Sequence, residues 1–298
     1  DYAGSFSYCE NEDIGEGEKP KAFPVQNERL KTAKPDDFKK IPGSPVAYWV
    51  PEKLLDVYQT IPQLYEATIS DGQNITADNS RFVRFIWEIE SEKVGRDRKW
   101  IYYAKGGSFR KWFGNNDIVV DWTEDARNFY RGNSSARIIP EYLWFKPGIT
   151  WTLITSSNVG FRLLHEGGTF DKMGSSIFLK KDSEIIPTIA FLNSSVASYL
   201  INIFSSTVAL QIDEVRRLPF NPQSWIDNPV APAAEKLCAS YAADWNAKEI
   251  SMDFSRLDLL FKSENIRTIE DCWNLLLKKS SEQLKLCKAL EEENNRIF

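Results

Sequence analysis

Apolar positions along this chain follow three regimes, and each predicts a different kind of structure. Up to about residue 45 there is no sustained period. Gly15, Gly17, Pro20, Pro24, Pro35 and Pro42-Gly43 punctuate a polar stretch, which predicts a loop-rich lead-in with one helical turn over Asp36–Ile41. Pro45–Val50 reads as a short buried strand or a helix start, and Pro51–Tyr58 as a helix with proline in its first turn. From Arg81 onward the chain is dense in aromatic and β-branched residues. Arg81–Ile89 reads as a strand paired antiparallel with Trp100–Tyr103, followed by strands at Val119–Trp122, Thr150–Thr155, Val159–Leu163 and Ser176–Leu179. A short helix over Glu124–Tyr130 interrupts this series.

The period then lengthens. Ile189, Leu192, Val196, Leu200, Ile203 and Phe204 recur at helical spacing, which predicts one helix running from Pro187. Asp213–Phe220 reads as a helical turn closed by Pro219, and Asn221–Pro232 as a proline-bearing linker. Ala233–Trp245 forms a further helix, and Thr268–Asn295 a longer one capped by Thr268. Its stripe comprises Ile269, Trp273, Leu276, Leu277, Leu284, Cys287 and Leu290. About 28 residues at 1.5 Å each would span roughly 40 Å, enough for a spacer or brace, or for packing back on the sheet. The pattern predicts an α+β fold: a mixed or antiparallel sheet with packed helices, then an α-helical C-terminal region. The segments are a lead-in over 1–70, a sheet-bearing domain over 71–222 and a helical region over 223–298.

Composition narrows the chemistry. No apolar run approaches the ~18 residues needed to span a membrane, and no signal peptide is present at the start. The first residue is not Met and the last ones continue a helical pattern, so both ends read as cut from a longer protein. Cys9, Cys238, Cys272 and Cys287 form no CxxC pair and His165 is the sole histidine, which argues against zinc and against histidine-dependent nucleophilic catalysis. Scattered thiols suit a reducing, cytoplasmic setting. No GxxxxGK[ST] occurs, and Gly15-Glu16-Gly17 lacks a preceding strand.

The net charge of −5 is unevenly placed. Between Arg81 and Lys111 nine Lys/Arg face four acids, a local excess of five, whereas Glu10–Glu18 is acidic. Within this basic stretch, Lys99–Asn116 (KWIYYAKGGSFRKWFGNN) interleaves cations with aromatics beside the Gly106-Gly107 pair, a composition suited to a phosphate backbone and its bases. The candidate nucleic-acid contacts are Asn79, Arg81, Arg84, Lys105, Gly106, Gly107, Arg110, Lys111, Asn115 and Asn116. The cations would hold phosphates, and the asparagines are candidates for base edges, because Asn makes a bidentate contact with adenine. Arg81 and Arg84, three apart on a strand, would point to opposite faces, so at most one would face DNA. Trp112 and Trp151 read as core.

A set of short stretches in a fixed order resembles one family. They are Lys40–Trp49 (KIPGSPVAYW), Asn79–Phe85 (NSRFVRF), Lys99–Asn116, Gly148–Trp151, Phe191–Val196 (FLNSSV), Arg217–Phe220 (RLPF), Asp244-Trp245 with Ser251–Phe254, and Glu293–Phe298 (ENNRIF). The chain resembles the C-terminal portion of PglX-type adenine-specific DNA methyltransferases of BREX phage-defence systems. That resemblance implies a DNA target-recognition domain over residues 71–222, double-stranded DNA as partner, and S-adenosyl-L-methionine in the parent enzyme but no cofactor in this segment. Such enzymes hold a flipped base with an Asn/Asp-Pro-Pro-aromatic loop. The pairs Asn221-Pro222-Gln223 and Asn228-Pro229-Val230 do not continue that way, so the segment itself is expected to be non-catalytic. The competing expectation is a protein-interaction scaffold that docks other phage-defence subunits or a phage-encoded inhibitor.

Overall fold

The computed structural model describes residues 2–7, 9–26, 28–41, 43–156, 158–204, 208–227, 230–257 and 268–298. In chain order the strands and helices are β1 (Gly4–Ser7), β2 (Leu30–Ala33), α1 (Pro35–Phe38), α2 (Glu52–Thr60), β3 (Thr68–Ile69), α3 (Asn79–Phe82), β4 (Val83–Phe85), β5 (Trp100–Ala104), β6 (Ile118–Asp121), α4 (Glu124–Gly132), β7 (Ile149–Thr150), β8 (Arg162–Leu163), β9 (Gly168–Phe170), β10 (Ser176–Leu179), α5 (Ile185–Leu192), α6 (Ser195–Phe204), α7 (Ile212–Arg216), α8 (Val230–Asn246) and α9 (Ile269–Ile297). The class is α+β. Among the described residues β1 and β2 pair alone, and two four-stranded sheets run in the orders β3-β10-β7-β8 and β4-β6-β5-β9. All pairs are antiparallel except β5 with β9, where Tyr102, Tyr103 and Ala104 face Gly168, Thr169 and Phe170.

Burial follows the alternation only where a strand has one wet face. Ser176–Leu179 is buried at every position: Ile177 and Leu179 lie in one cluster with Ile185 and Ile189 of α5, and Phe178 in another with Ile139, Leu143 and Phe170. The largest core cluster joins Ile41 and Leu55 from the lead-in, Trp112, Trp151 and Phe161 from the sheets, and Ile189, Leu237 and Leu290 from the helices. A second cluster, with Phe82, Ile101, Tyr103, Val120 and Tyr130, packs α4 on the second sheet. Trp112 and Trp151 are fully buried, as their surroundings in the sequence suggest. Among the described residues no single helix is long and apolar enough to cross a membrane.

Several local readings are corrected. The strand expected over Arg81–Ile89 survives only as β4. The Asp78 side chain accepts from Arg81 N at 3.0 Å and winds the preceding residues into α3, and Glu88 accepts from Phe85 N at 2.6 Å and closes a 3-10 turn over Ile86–Glu88. β4 therefore pairs with β6 rather than with β5. The single helix expected from Pro187 is two, α5 and α6, bent by 78°. Asn193 causes the break: its amide donates to Phe161 O and accepts from Phe161 N, both at 3.0 Å, so the chain leaves the helix to pair with a loop. Ser194 Oγ then accepts from Ala197 N at 3.1 Å. Pro45–Val50 forms turns, although Ala47 and Val50 are buried. Pro51 precedes α2 as its N-cap.

The proline-bearing stretch after α7 is packed. Pro222 and Val230 are buried, and Trp225 lies 4.6 Å from the Phe298 ring. The second Asn-Pro pair, Asn228-Pro229, lies outside the described residues, as do Pro42 and Ser157; nothing is described of the Phe204 side chain. Helix α9 starts at the expected cap, Thr268, whose hydroxyl accepts from Asp271 N at 3.0 Å. Its expected stripe is not its buried face throughout. Cys272 and Leu290 are buried, whereas Ile269 is 80% exposed and Trp273, Leu277 and Leu284 are about half exposed. The difference follows from the C-terminal half, where Asn294 Nδ2 reaches Ala190 O at 2.9 Å and the helix lies against α5 and α8.

Candidate nucleic-acid interface

Nine cations lie between Arg81 and Lys111, and the fold divides them. Five are paired with acids: Lys93 with Glu90, Lys99 with Asp121, Lys105 with Asp171, Arg110 with Asp244 and Lys111 with Glu291. The other four, Arg81, Arg84, Arg96 and Arg98, have no carboxylate within ion-pair distance among the described residues. Arg81 lies over the Phe82 and Phe129 rings, Arg84 donates to Ser80 O and Val83 O, and Arg96 lies over Phe145. In the same segment Glu88, Glu92 and Asp97 also lie outside any ion pair among the described residues, so the four arginines leave a net excess of one positive charge.

Arg110 and Lys111 point into the protein. Arg110 Nη2 donates to Asp244 Oδ2 at 2.6 Å and to Tyr241 O at 2.9 Å, its Nε to Phe113 O at 2.6 Å, and the guanidinium lies 5.2 Å from the Trp245 ring centre. Burial pushes Asp244 up, but the bonds from Arg110 and Lys248 outweigh it and hold the carboxyl below its usual range. Lys111 Nζ reaches Asn193 O and Glu291 Oε2, both at 3.3 Å. Glu291 Oε1 accepts from Trp112 Nε1 at 3.0 Å and from the Tyr241 hydroxyl at 3.1 Å. These two cations pin the hairpin loop to α8 and α9.

The glycine pair is required by the loop's own geometry. Gly106 has φ +86°, and a Cβ there would meet Met173 O at 2.9 Å. Its carbonyl accepts from Asn115 Nδ2 at 3.1 Å and from Arg162 Nη2 at 3.3 Å. Gly107, at φ +105°, accepts through its carbonyl from Thr152 Oγ1 at 3.0 Å. Asn115 also donates to Ser108 O at 2.9 Å, so its amino group is committed to closing the loop. The Asn116 side-chain nitrogen is buried without a partner among the described residues. Arg162, fully buried, holds the same loop from below through Arg110 O and Gly106 O. Burial, with Arg110 beside it, lowers its pKa to about 10, so it stays charged at neutral pH.

Asn79 and Lys105 do come together. Lys105 Nζ is 3.3 Å from Asn79 Oδ1 and 3.0 Å from Asp171 Oδ2, and Asp171 also accepts from the Tyr103 hydroxyl at 2.8 Å. Burial, and then Asp171, raise the Tyr103 hydroxyl well above its ordinary pKa. Asn79, Ser80, Val83, Arg84, Phe85, Glu88 and Ile118 line an open cavity of about 340 Å³. Beside it Phe85 and Trp87 stack at 4.5 Å with 6° between their planes, both about half exposed. That pair, Arg96 and Arg98 are the features the sequence reading passed over. Phe85 and Trp87 are two apart, and that spacing was the available signal of a shared face. Among the described residues no group of acids, thiols and histidine is placed to hold a metal ion.

No protein-family profile matches the chain. It is 32% identical over 296 residues to the adenine-specific methyltransferase PglX of Lacticaseibacillus casei (strain Zhang), covering 92% of this chain and 24% of that protein. It is 28% identical over 237 residues to the adenine-specific methyltransferase BrxX of Escherichia coli O9:H4 (strain HS), covering 78% of this chain and 19% of that protein. The chain thus spans about a quarter or less of the length of these curated relatives.

Proposed function

From a chain homologous to one segment of the PglX and BrxX adenine-specific methyltransferases, we propose a DNA target-recognition function within a site-specific adenine-N6 methyltransferase of BREX phage defence in the cytoplasm. S-adenosyl-L-methionine and the transfer chemistry then belong to polypeptide outside this segment. The observation that carries the reading is the group of four arginines without acid partners among the described residues, beside the exposed Phe85–Trp87 stack, in a chain of net charge −5. A surface cation left unpaired in an acidic protein concentrates phosphate locally. Arg81, Arg84, Arg96 and Arg98 would meet the backbone, and the exposed Phe85–Trp87 stack offers a planar apolar surface to a base or sugar.

The test is DNA binding by the full-length protein as salt is varied. Replacing Arg81 and Arg98 by Ala together should reduce the slope of log K against log salt by about two units. S-adenosyl-L-methionine affinity should stay at the wild-type value. An unchanged slope and unchanged DNA affinity would remove this surface from the interface.

The exposed apolar positions Ile269, Trp273, Leu277 and Leu284 on α9 favour a second reading, a docking face for another defence subunit or a phage-encoded inhibitor. A chain that docks proteins and leaves DNA alone would show no DNA affinity at low salt.

A further inference from the structure

We propose that Asn79 reads one base of the recognised sequence as a fixed hydrogen-bond donor and selects guanine there; this rests on the target-recognition reading above. An asparagine side chain can offer an oxygen and an amino group, and it reads adenine by using both. Here the oxygen is already taken. Asn79 Oδ1 accepts from Thr76 Oγ1 at 2.7 Å and from Lys105 Nζ at 3.3 Å. Lys105 is itself held by Asp171, whose carboxylate is also fixed by Tyr103 and by Met173 N at 2.8 Å. The amide therefore has one orientation, with its two N–H groups turned away from this network. Asn79 is exposed at the open cavity, and its Nδ2 has no partner among the described residues.

A donor-only group with two hydrogens matches an edge carrying two acceptors. Guanine presents N7 and O6 together in the major groove, adenine presents only N7 beside an amino group, and cytosine presents an amino group. A phosphate would also accept from Asn79, and the cavity wall carries one charge of each sign, Arg84 and Glu88. Glu88 forms part of the cavity wall, and Asp78 lies immediately before Asn79. The Ser80 hydroxyl is turned to Asp78 Oδ1 at 2.6 Å, so it adds no donor toward a ligand. Charges of both signs beside the amide do not select an anion, and the choice of a base edge rests on the match between its two hydrogens and two neighbouring acceptors.

The experiment is selection of bound duplexes from a randomised DNA library by the full-length protein, for wild type, Asn79→Ala, Asn79→Asp, and Lys105→Met with and without Thr76→Val. The wild type should show a motif with guanine at the position read by Asn79. Asn79→Ala should lose about tenfold of the preference at that position and keep the rest of the motif. Asn79→Asp is nearly isosteric and turns the outward group into an acceptor, so the same position should change to cytosine. Lys105→Met leaves Thr76 Oγ1 on the amide oxygen, so adenine should become tolerated there only when Thr76→Val removes that donor as well. Uniform weakening across all sequences by Asn79→Ala would mark a phosphate contact and overturn the inference. So would an unaltered motif in Asn79→Asp. A wild-type protein that selects no motif at all would instead remove the recognition reading itself.

Discussion

Replacing Glu291 by Ala tests whether the hairpin loop is held to the helical region by the acceptor geometry described above. Glu291 serves three donors, two from the hairpin loop and one from α8: Trp112 Nε1 at 3.0 Å, Lys111 Nζ at 3.3 Å and the Tyr241 hydroxyl at 3.1 Å. The Trp112 side chain is fully buried, so its indole N–H would lose its acceptor at a cost of about 1–3 kcal/mol. The ion pair adds little, because both side chains are about a quarter exposed and Lys111 retains Asn193 O; such a pair contributes roughly 0–1 kcal/mol. Glu291 also lines an open cleft of about 530 Å³, through which water can replace part of what is lost. The expected destabilisation for Glu291→Ala is therefore about 2 kcal/mol, toward the lower end of the sum. Glu291→Gln keeps one acceptor oxygen for Trp112 and Tyr241 and should cost about 1 kcal/mol or less. Urea unfolding followed by tryptophan fluorescence reads both. With a slope of about 3 kcal/mol per molar, the Ala midpoint should fall by roughly 0.7 M. An Ala variant within about 0.5 kcal/mol of wild type would refute the reasoning, as would a Gln variant as damaging as Ala.

Three further perturbations follow from the same geometry. Asn193→Ala removes both bonds to the Phe161 backbone and leaves a buried N–H and C=O without partners, so the same urea assay should show a loss of about 2–4 kcal/mol. Gly174→Ala would drive a Cβ into Ala104 O, which is backbone and cannot swing aside; a drop of about 1–3 kcal/mol is expected, against little change for an alanine at Gly132, where a Cβ meets open space. Burial lowers the pKa of His165 from 6.5, only partly offset by the Glu166 carbonyl and the acids Asp253 and Glu166, while its ring stacks on Tyr102 at 3.5 Å. The unfolded chain therefore takes up the proton first as pH falls through about 6.5, so this histidine should make the fold lose stability on acidification below that pH. His165→Gln should flatten the dependence below pH 6.5, and a titration of the single imidazole by NMR that gives 6.5 or above would contradict the sign.

What the sequence made legible was whatever depends on near neighbours. Helix α9 begins at Thr268 because its hydroxyl and Asp271 satisfy each other's backbone donors, a pattern four residues long. Helix α4 and strands β6 and β10 lie where local propensity puts them. The misreadings concern side chains that act on the backbone at a distance. Nothing within ten residues of Asn193 indicates that its amide will pair with Phe161, 32 positions earlier, and bend a continuous apolar helix pattern by 78°. At Asp78 the signal was present but outweighed: an Asp-Asn-Ser run before an aromatic series reads as a turn before a strand, and the same Asp is also a helix cap.

The candidate site shows the same limit with a functional consequence. A count of nine cations against four acids within 31 residues treats all of them as available to a ligand. Three of those cations find acids far outside the window: Lys105 at Asp171, 66 positions on, Arg110 at Asp244, 134 positions on, and Lys111 at Glu291, 180 positions on. Arg110 and Lys111 were the centre of the aromatic-basic pattern, and the fold uses them to fasten α8 and α9 to the loop. The residual charge moves to Arg81, Arg84, Arg96 and Arg98, in the segment that also carries the exposed Phe85–Trp87 stack and the oriented amide of Asn79. The interface proposed here is therefore displaced from Lys99–Asn116 toward α3 and β4. The two roles are experimentally separable: loss of Arg110 should lower stability with the salt slope of DNA binding kept, whereas loss of Arg81 and Arg98 should lower the slope with stability kept.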